Sequence, residues 1–462
     1  MISGEGLSNM HRVALIRPIY DGDDSEFQEP LGAEAICGYL REHGIETRVF
    51  DRMLGTGCME IDTFNPDWVG FSLMTSADVP DALRLRQMLQ CAGRRFFAGG
   101  LFVTTCPKKA RALFPSDTVL VSGEGEGPVL ELVKTGEIQG KLKPGPDEWA
   151  YASRDQLSEY LSRGGVINIR TSRGCKGICA FCSTPNSGMP SGHETRSTDK
   201  IADEMLYICQ KGYEPIYNFT DDMFGDHTRI QALEEALQLR GLRAAFSLEM
   251  RAAEIIQAPA EIWEQLHQGG LCRVFTGLES LNSRTLAAWG KPVNTRKLLL
   301  AVKKMQESGI SCEVGYILWH TKTIPEDAYE EAKQLHEYGL LSPKSALSRL
   351  VLFPGSRLYE EAGAQDVCLC RLSPAAEQMY TRWETVLFPL RKLWTAASCA
   401  MPRMCSVAYL HGETEPSLQR LISCRERIRE LTWDALSCKK IPDRKYCEEI
   451  RGELLALHIT GA

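Results

Sequence analysis

No stretch of this 462-residue chain approaches the ~18 consecutive apolar residues of a membrane span, and its start, Met-Ile-Ser-Gly-Glu-Gly-Leu-Ser-Asn-Met, has no basic segment leading into an apolar run. Neither a bilayer span nor a secretory leader is expected, and a cytoplasmic protein is. Positive charge is also short: 53 Lys and Arg face 60 Asp and Glu, for a formal charge of -7. Nucleic-acid recognition leaves a basic footprint, so a tRNA or DNA substrate is disfavoured. A second paired-cysteine motif is missing too. The 17 cysteines, in a reducing compartment, read as thiols and metal ligands rather than disulfides. At this length two or three domains, each with its own core, are expected.

What is present is concentrated in Cys175-Lys-Gly-Ile-Cys179-Ala-Phe-Cys182, flanked by Ser172-Arg-Gly before and Ser183-Thr-Pro after. Three thiolates at this spacing can ligate three irons of a four-iron, four-sulfur cluster and leave the fourth iron open for chemistry. A structural zinc site needs a fourth ligand nearby, and the nearest candidates, His193 and Cys209, stand 11 and 27 residues past Cys182.

With its flanks, this motif resembles that of the radical S-adenosylmethionine (radical SAM) superfamily. The resemblance implies a [4Fe-4S] cluster on Cys175, Cys179 and Cys182, whose open iron chelates S-adenosylmethionine and whose electron cleaves it to a 5'-deoxyadenosyl radical. It also implies an electron donor of flavodoxin or ferredoxin type, with Phe181 on the adenine side.

Ahead of the motif, residues 11 to about 135 alternate short apolar runs with helical patterns, the signature of a doubly wound parallel sheet. Strands are expected at Val13–Ile16, Thr47–Phe50, Trp68–Leu73, Arg95–Ala98 and Thr118–Val121, with a helix from Ala33 to His43 stopped by Gly44. Ligands of such sheets bind at the strand C-termini. There the loops Arg17–Tyr20, Ser72–Ser76, Gly99–Thr104 and Ser122–Glu126 resemble, in order, those of the cobalamin-binding domain that precedes the barrel in one radical SAM subfamily. On that resemblance Ser72, Thr75, Gly99, Gly100, Gly123 and Glu124 are the cobalamin contacts. The chain departs where the subfamily commonly has Pro-His: here Leu101-Phe102 follows Gly100, and no Asp-x-His-x-x-Gly offers a cobalt ligand. Phe102 is expected either to touch the corrin or to fill its place.

A polar linker is expected over 141–165, the cobalamin-type domain over 1–140, a partial (β/α)6 barrel over 166–360 and a helical domain over 361–462. Barrel strands are expected at 166–170, 215–219, 245–248, 273–276, 311–318 and 348–353, and long helices at 375–397 and 413–436. Cys368, Cys370, Cys399, Cys405, Cys424, Cys438 and Cys447, which form no C-x2-C pair, read as buried thiols.

Functional groups of such barrels sit at strand C-termini. Asp221-Asp222 and Gly277-Leu-Glu279-Ser280 resemble subfamily motifs that bind S-adenosylmethionine, and Arg251 is placed to pair with its carboxylate. Pro354-Gly-Ser-Arg-Leu-Tyr359 is a structural turn. Where the subfamily has Gly-x-Pro-Gly-Glu-Thr, this chain has Trp319-His-Thr-Lys-Thr323, which makes Trp319, His320 and Lys322 candidate substrate contacts. His320 as general base and Tyr217 as a radical gate are the catalytic candidates. The function implied is radical chemistry on a small molecule in natural-product biosynthesis, foremost cobalamin-dependent C-methylation. Its rival is a cobalamin-free dehydratase, deoxygenase or epimerase acting on a sugar or aminoglycoside-like substrate. Two other classes fit less well. A tRNA methylthiotransferase would carry three more cluster cysteines, which Cys37, Cys58, Cys91 and Cys106 do not match, and a non-catalytic iron-sulfur protein would not need the strand-end acids.

Overall fold

The computed structural model describes residues 11–19, 28–91, 93–140, 142–184, 192–411, 416–438 and 442–457. Tyr20, Lys141, Pro185 and the expected helix start at 413–415 lie outside them. The chain forms two compact units, one built on Glu29–Tyr160 with the first strand, the other on Leu161–Pro185 and Gly192–Ala462.

In the first unit β1 (Arg12–Arg17), β2 (Glu46–Asp51), β3 (Trp68–Ser72), β4 (Arg95–Gly99) and β5 (Thr118–Leu120) make one sheet in the order β2-β1-β3-β4-β5, every pair parallel. Alternation along β1 explains the two layers. Ala14 and Ile16 face a core with Val69, Phe71, Phe96 and Phe102, while Val13 and Leu15 face a second core with Val49, Trp68 and Phe97. The helix over Leu31–Glu42 begins two residues earlier than expected, after Pro30 at its N-cap, and ends before Gly44 at φ +77°.

The segment expected as a polar linker is instead anchored to this unit. Trp149, Ala152, Leu157 and Tyr160 are buried, buried Arg154 pairs with Glu29 at 2.8 Å, Asp155 binds Arg41 at 2.8 Å, and the Tyr160 hydroxyl donates to Asp51. Its widely spaced apolar residues were hidden among Pro, Gly and charged ones.

The second unit holds β6 (Ile167–Ile169), a small ribbon of β7 (Ser172–Arg173) and β8 (Glu194–Thr195), then β9 (Ile216–Phe219), β10 (Ala245–Glu249), β11 (Leu271–Glu279) and β12 (Ser311–Tyr316). Its main sheet is parallel in the order β12-β11-β10-β9-β6. The sixth barrel strand is much shorter than expected. β13 (Val351–Leu352) pairs antiparallel with β14 (Cys368–Leu369), and the join to the end of β12 is a single parallel bridge, Trp319 to Arg349. Ser348 O accepts from both Leu318 N and Trp319 N, which breaks the ladder at that point.

The C-terminal helices belong to the same compact unit as the barrel. Helix Pro374–His411 packs against β10, β11 and helix Pro416–Leu436, and a further helix spans Arg444–Ala456. The first runs beyond the expected end at Ala397, through Pro389 and Pro402. An interior proline costs about 3 kcal/mol, which burial of Trp383, Leu387, Leu390, Leu393 and Trp394 along one face offsets. Of the seven C-terminal cysteines, Cys370, Cys424 and Cys447 are buried, whereas Cys368, Cys399 and Cys438 are exposed, contrary to the expectation of buried thiols.

Candidate active site and cofactor surfaces

The cysteine loop leaves β6 and is held at both ends by the two aspartates that close β9. Asp221 accepts from Thr171 N and Ser172 N, each at 2.8 Å, and from the Thr171 hydroxyl; Asp222 accepts from Gly174 N at 3.2 Å and from the Thr184 hydroxyl at 2.9 Å. Burial pushes the Asp221 carboxyl above the usual range, against the pull of its three donors. With those acceptor positions occupied and 5% of its surface exposed, Asp221 faces the loop and not a ligand, so the expected cofactor contact is replaced by a positioning role. Exposed Asp222 likewise ties Gly174 before the cysteines to Thr184 after them.

Within the loop, Gly177 N donates to Cys175 Sγ at 3.3 Å, and a Cβ on Gly177 would lie 3.4 Å from that sulfur and 3.7 Å from Cys179 Sγ. Two thiols thus converge over one glycine. Ala180 is gripped from both sides, donating to Trp289 O at 2.8 Å and accepting from Leu358 N at 2.9 Å, so the Pro354–Tyr359 turn is structural in that it docks the loop. Burial raises the Cys175 and Cys179 thiols, opposed at Cys175 by the Gly177 amide and Arg251 and at Cys179 by Lys291. His193 Nε2 stands 2.8 Å from Met223 O; because a carbonyl only accepts, that nitrogen carries a proton and is not a metal ligand.

Glu279 ends β11 at φ +66°, a conformation costly for a residue with a Cβ, beside a register break against β12. Its carboxylate pairs with Lys291 Nζ at 2.7 Å, and a Cβ on Gly277 would strike both groups. Lys291 escaped the sequence reading. It stands 12 residues from Glu279, brought back by the helix Ser283–Ala288, and the Trp-Gly-Lys turn that delivers it has no local signature. Lys291 also lies 5.9 Å from the Phe181 ring centroid, and Phe181 packs edge-on against Trp289 at 5.5 Å. Arg251, half-buried just past β10, has one ion pair among the described residues, to Glu254 at 3.5 Å.

Other expectations are corrected. Tyr217 is 1% exposed and donates to Met205 O at 2.6 Å, pointing into the helix Thr198–Gln210, so it is core and not a radical gate. Trp319 is fully buried against Tyr380 and Trp383 with its indole donating to Ala346 O, out of reach of substrate. Ser280 turns to helix Pro325–Glu337, bonding Glu331 at 3.1 Å in a cluster with Tyr316, and is not open to a cofactor. His320 lines a polar cavity of about 180 Å³ with Arg284, Lys322, Asp327 and Glu331. Burial lowers its pKa to about 4, and Nδ1 accepts from Lys322 N at 3.3 Å, so the ring is neutral with its proton on Nε2. Such a group is a weak base near neutrality, and the general-base role is not supported.

On the first unit, Gly99 and Gly100 serve the fold. A Cβ on Gly100, at φ +98°, would hit the Leu73 backbone, and one on Gly99 would crowd Val121 O at 3.2 Å. Thr75 caps a short turn by accepting from Ala77 N, and Thr104 links Gly100 O to Gly123 N, at φ +78° for Gly123. Ser72 sits half-buried opposite Gly99, and Glu124 is half-buried beyond β5. Phe102 is 3% exposed inside the core, so it neither touches a ligand on this rim nor blocks one. The rim itself exposes Ile19 after β1 and Met74 after β3, at 41% and 60%, with half-buried Leu101 after β4. Apolar side chains at the ends of three adjacent strands suit a broad, flat ligand.

An open parallel α/β unit followed by a partial barrel with a three-thiol loop defines a class of cluster-bearing enzyme. Family models match accordingly: the Radical SAM superfamily over residues 169–340 and the B12 binding domain over 26–133. An uncharacterized methyltransferase of Pyrococcus horikoshii is 26% identical over 427 residues, 84% of this chain and 88% of that one. Hopanoid C-3 methylase of Methylococcus capsulatus is 25% identical over 320 residues, 63% of this chain and 61% of that one. The solved structure of OxsB, a cobalamin-dependent S-adenosylmethionine radical enzyme with aqua-cobalamin and S-adenosylmethionine bound, aligns over 97% of this chain and 75% of that one, with TM-score 0.75 at 16% identity. The chain carries a radical SAM domain and, ahead of it, a B12-binding domain. A [4Fe-4S] cluster, S-adenosylmethionine and cobalamin are the cofactors that go with these domains, and the thiol loop and the apolar rim fit them. Among the described residues no helix is long and apolar enough to cross a membrane.

Proposed function

We propose that the protein methylates an unactivated carbon of a small molecule in the biosynthesis of a specialised natural product. The observation that carries the reading is the pairing, in one chain, of a three-thiol loop pinned by Asp221 and Asp222 with an α/β unit whose strand ends expose Ile19 and Met74. When bound, the cluster with S-adenosylmethionine supplies a 5'-deoxyadenosyl radical that removes a substrate hydrogen, and cobalamin supplies the methyl group. The protein's own groups hold and orient. Arg251, with a single long ion pair among the described residues, is free enough to take a carboxylate bidentately, and Lys291 neutralises Glu279 beside Cys179. His320, neutral and carrying its proton on Nε2, offers a hydrogen bond without moving a proton.

The names of the two methylating relatives support this reading. The cobalamin-free rival rested on bulk at Leu101-Phe102 and on the absent Asp-x-His-x-x-Gly; burial of Phe102 in the core weakens the first ground, and the second stands. A cytoplasmic setting, a flavodoxin- or ferredoxin-type electron donor and no nucleic-acid partner complete the proposal. Anaerobically purified and reconstituted protein is expected to retain a cobalamin absorption band and, with candidate substrates, to form S-adenosylhomocysteine together with 5'-deoxyadenosine. Should 5'-deoxyadenosine form with substrate in the absence of cobalamin, and S-adenosylhomocysteine not form, methyl transfer is excluded and elimination or epimerisation replaces it.

A further inference from the structure

Far from the cysteine loop, the barrel carries buried charge that none of this chemistry uses. Helix Pro374–His411 closes the sheet at the N-terminal ends of its strands: Arg243, ahead of β10, donates to Tyr409 O at 2.7 Å, and the Tyr409 hydroxyl donates to Gln268 O, ahead of β11, at 2.8 Å. On the neighbouring helix Pro416–Leu436, Arg425 and Arg429 stand one turn apart over the indole of Trp394, their guanidinium carbons 4.6 and 5.3 Å from its ring centroid. Arg425 is 7% exposed and Arg429 half-buried. Among the described residues neither guanidinium donates a hydrogen bond or enters an ion pair, and both Nε atoms are buried without a partner, as are Trp394 Nε1 and Ser398 Oγ on the facing helix.

The neighbouring charges do not answer this deficit. Glu313 on β12 is engaged by Arg273 at 2.7 Å and approached by Lys344 at 3.9 Å. The carboxylates whose fields reach the pair are this same Glu313 and, at Arg429, Glu426. Four cations therefore share two anions. Burial lowers Arg429 to about 10, still well above neutral pH, so the guanidinium stays charged. Stacking on one indole contributes about 0.5–2 kcal/mol, whereas an uncompensated buried charge costs several.

We infer that Arg425 and Arg429 bind an oxyanion of the phosphate class, at a site near the N-terminal halves of β11 and β12 and separate from the cofactor rim. Two planar guanidinium forks one turn apart match a tetrahedral oxyanion, which would satisfy donors left open among the described residues. Arg273 and Glu279 are six residues apart on β11, roughly 20 Å along the strand, so the anion would lie well away from the strand end that carries Glu279.

The test is calorimetric, on the full reconstituted protein, comparing inorganic phosphate and sulfate with chloride at matched ionic strength. Phosphate is expected to raise the parent's Tm saturably and beyond chloride, and R425Q and R429Q each to raise the apparent Kd for phosphate at least tenfold with iron content unchanged. If R425Q fails to fold, half-buried Arg429 carries the comparison through R429Q. A parent that responds to phosphate no more than to chloride, or an R429Q variant that keeps the saturable response, overturns the assignment.

Discussion

Replacing Asp221 separates a loop pin from a cofactor ligand, because the two roles predict different losses. Its carboxylate receives two backbone N–H groups and one hydroxyl, and the donors' residues, Thr171 and Ser172, are 0% and 1% exposed, so water cannot take its place. Each buried donor left unpaired costs about 1–3 kcal/mol, so Asp221→Ala, which strands three, should cost roughly 3–9 kcal/mol in total, against about 5–15 kcal/mol for a whole domain. The penalty falls on the strand-to-loop junction four residues before Cys175. Asp221→Asn keeps one oxygen for the two N–H groups and lets the Thr171 hydroxyl turn to accept, which reduces the cost to about 1–2 kcal/mol. Iron per chain after anaerobic reconstitution, measured beside the Tm of the cluster-free protein, should be full in the parent, mostly kept in Asp221→Asn and lost in Asp221→Ala. Full iron in Asp221→Ala at parental Tm would end the pin argument. Full iron with S-adenosylmethionine binding lost would restore the ligand role that the motif alone suggests.

Arg251→Ala and Lys291→Met should each weaken S-adenosylmethionine binding by calorimetry while iron content holds, since both groups act on the cluster thiols' surroundings without ligating metal. Tyr217→Phe should cost about 1 kcal/mol of stability, from the lost bond to Met205 O, and leave turnover unchanged; a loss of turnover at parental stability would reinstate the gate. Phe102→His puts a polar ring into a core position, so it should lower stability by roughly 2–4 kcal/mol and produce no histidine-ligated cobalt spectrum. His320 is lowered from 6.5 to about 4 by burial, so below pH 6.5 the unfolded chain binds the extra proton and folding weakens as pH falls toward 4. His320→Gln should remove up to about 3 kcal/mol of that acid sensitivity, seen as a flatter Tm profile between those pH values.

The legible parts of this fold are those in which local pattern and burial coincide. The strands of the first unit read within a residue or two because both faces of each are apolar, as Val13 to Ile16 illustrate by feeding two cores at once. The cysteine loop was legible because its chemistry is written in consecutive residues. Direction was not. A motif places Asp221, Ser280 and Tyr217 at strand ends or in strands without saying which side of the sheet receives them, and in each case the partner that decides it, Thr171, Glu331 or Met205, is remote in sequence. The same limit hid the anchoring of 149–160, where Tyr160 meets Asp51 across 109 residues.

That limit also explains why the charged groups least visible in the sequence carry the most structural information. Lys291 and Arg425 belong to ordinary-looking helical or turn segments, and nothing within a few residues separates them from solvated cations. Burial separates them. Lys291 is brought against Glu279, whose left-handed backbone would be a cost without use unless the carboxylate had to stand at that rim position. Arg425 is brought into a site that offers it an indole face and no acceptor among the described residues. One cation is fully answered from within the chain beside the cluster, and the other is left open at the opposite ends of the strands. A buried cation without an acceptor is too costly to keep as passive packing, so the second, unlike the first, marks the place where the proposed oxyanion would complete the fold.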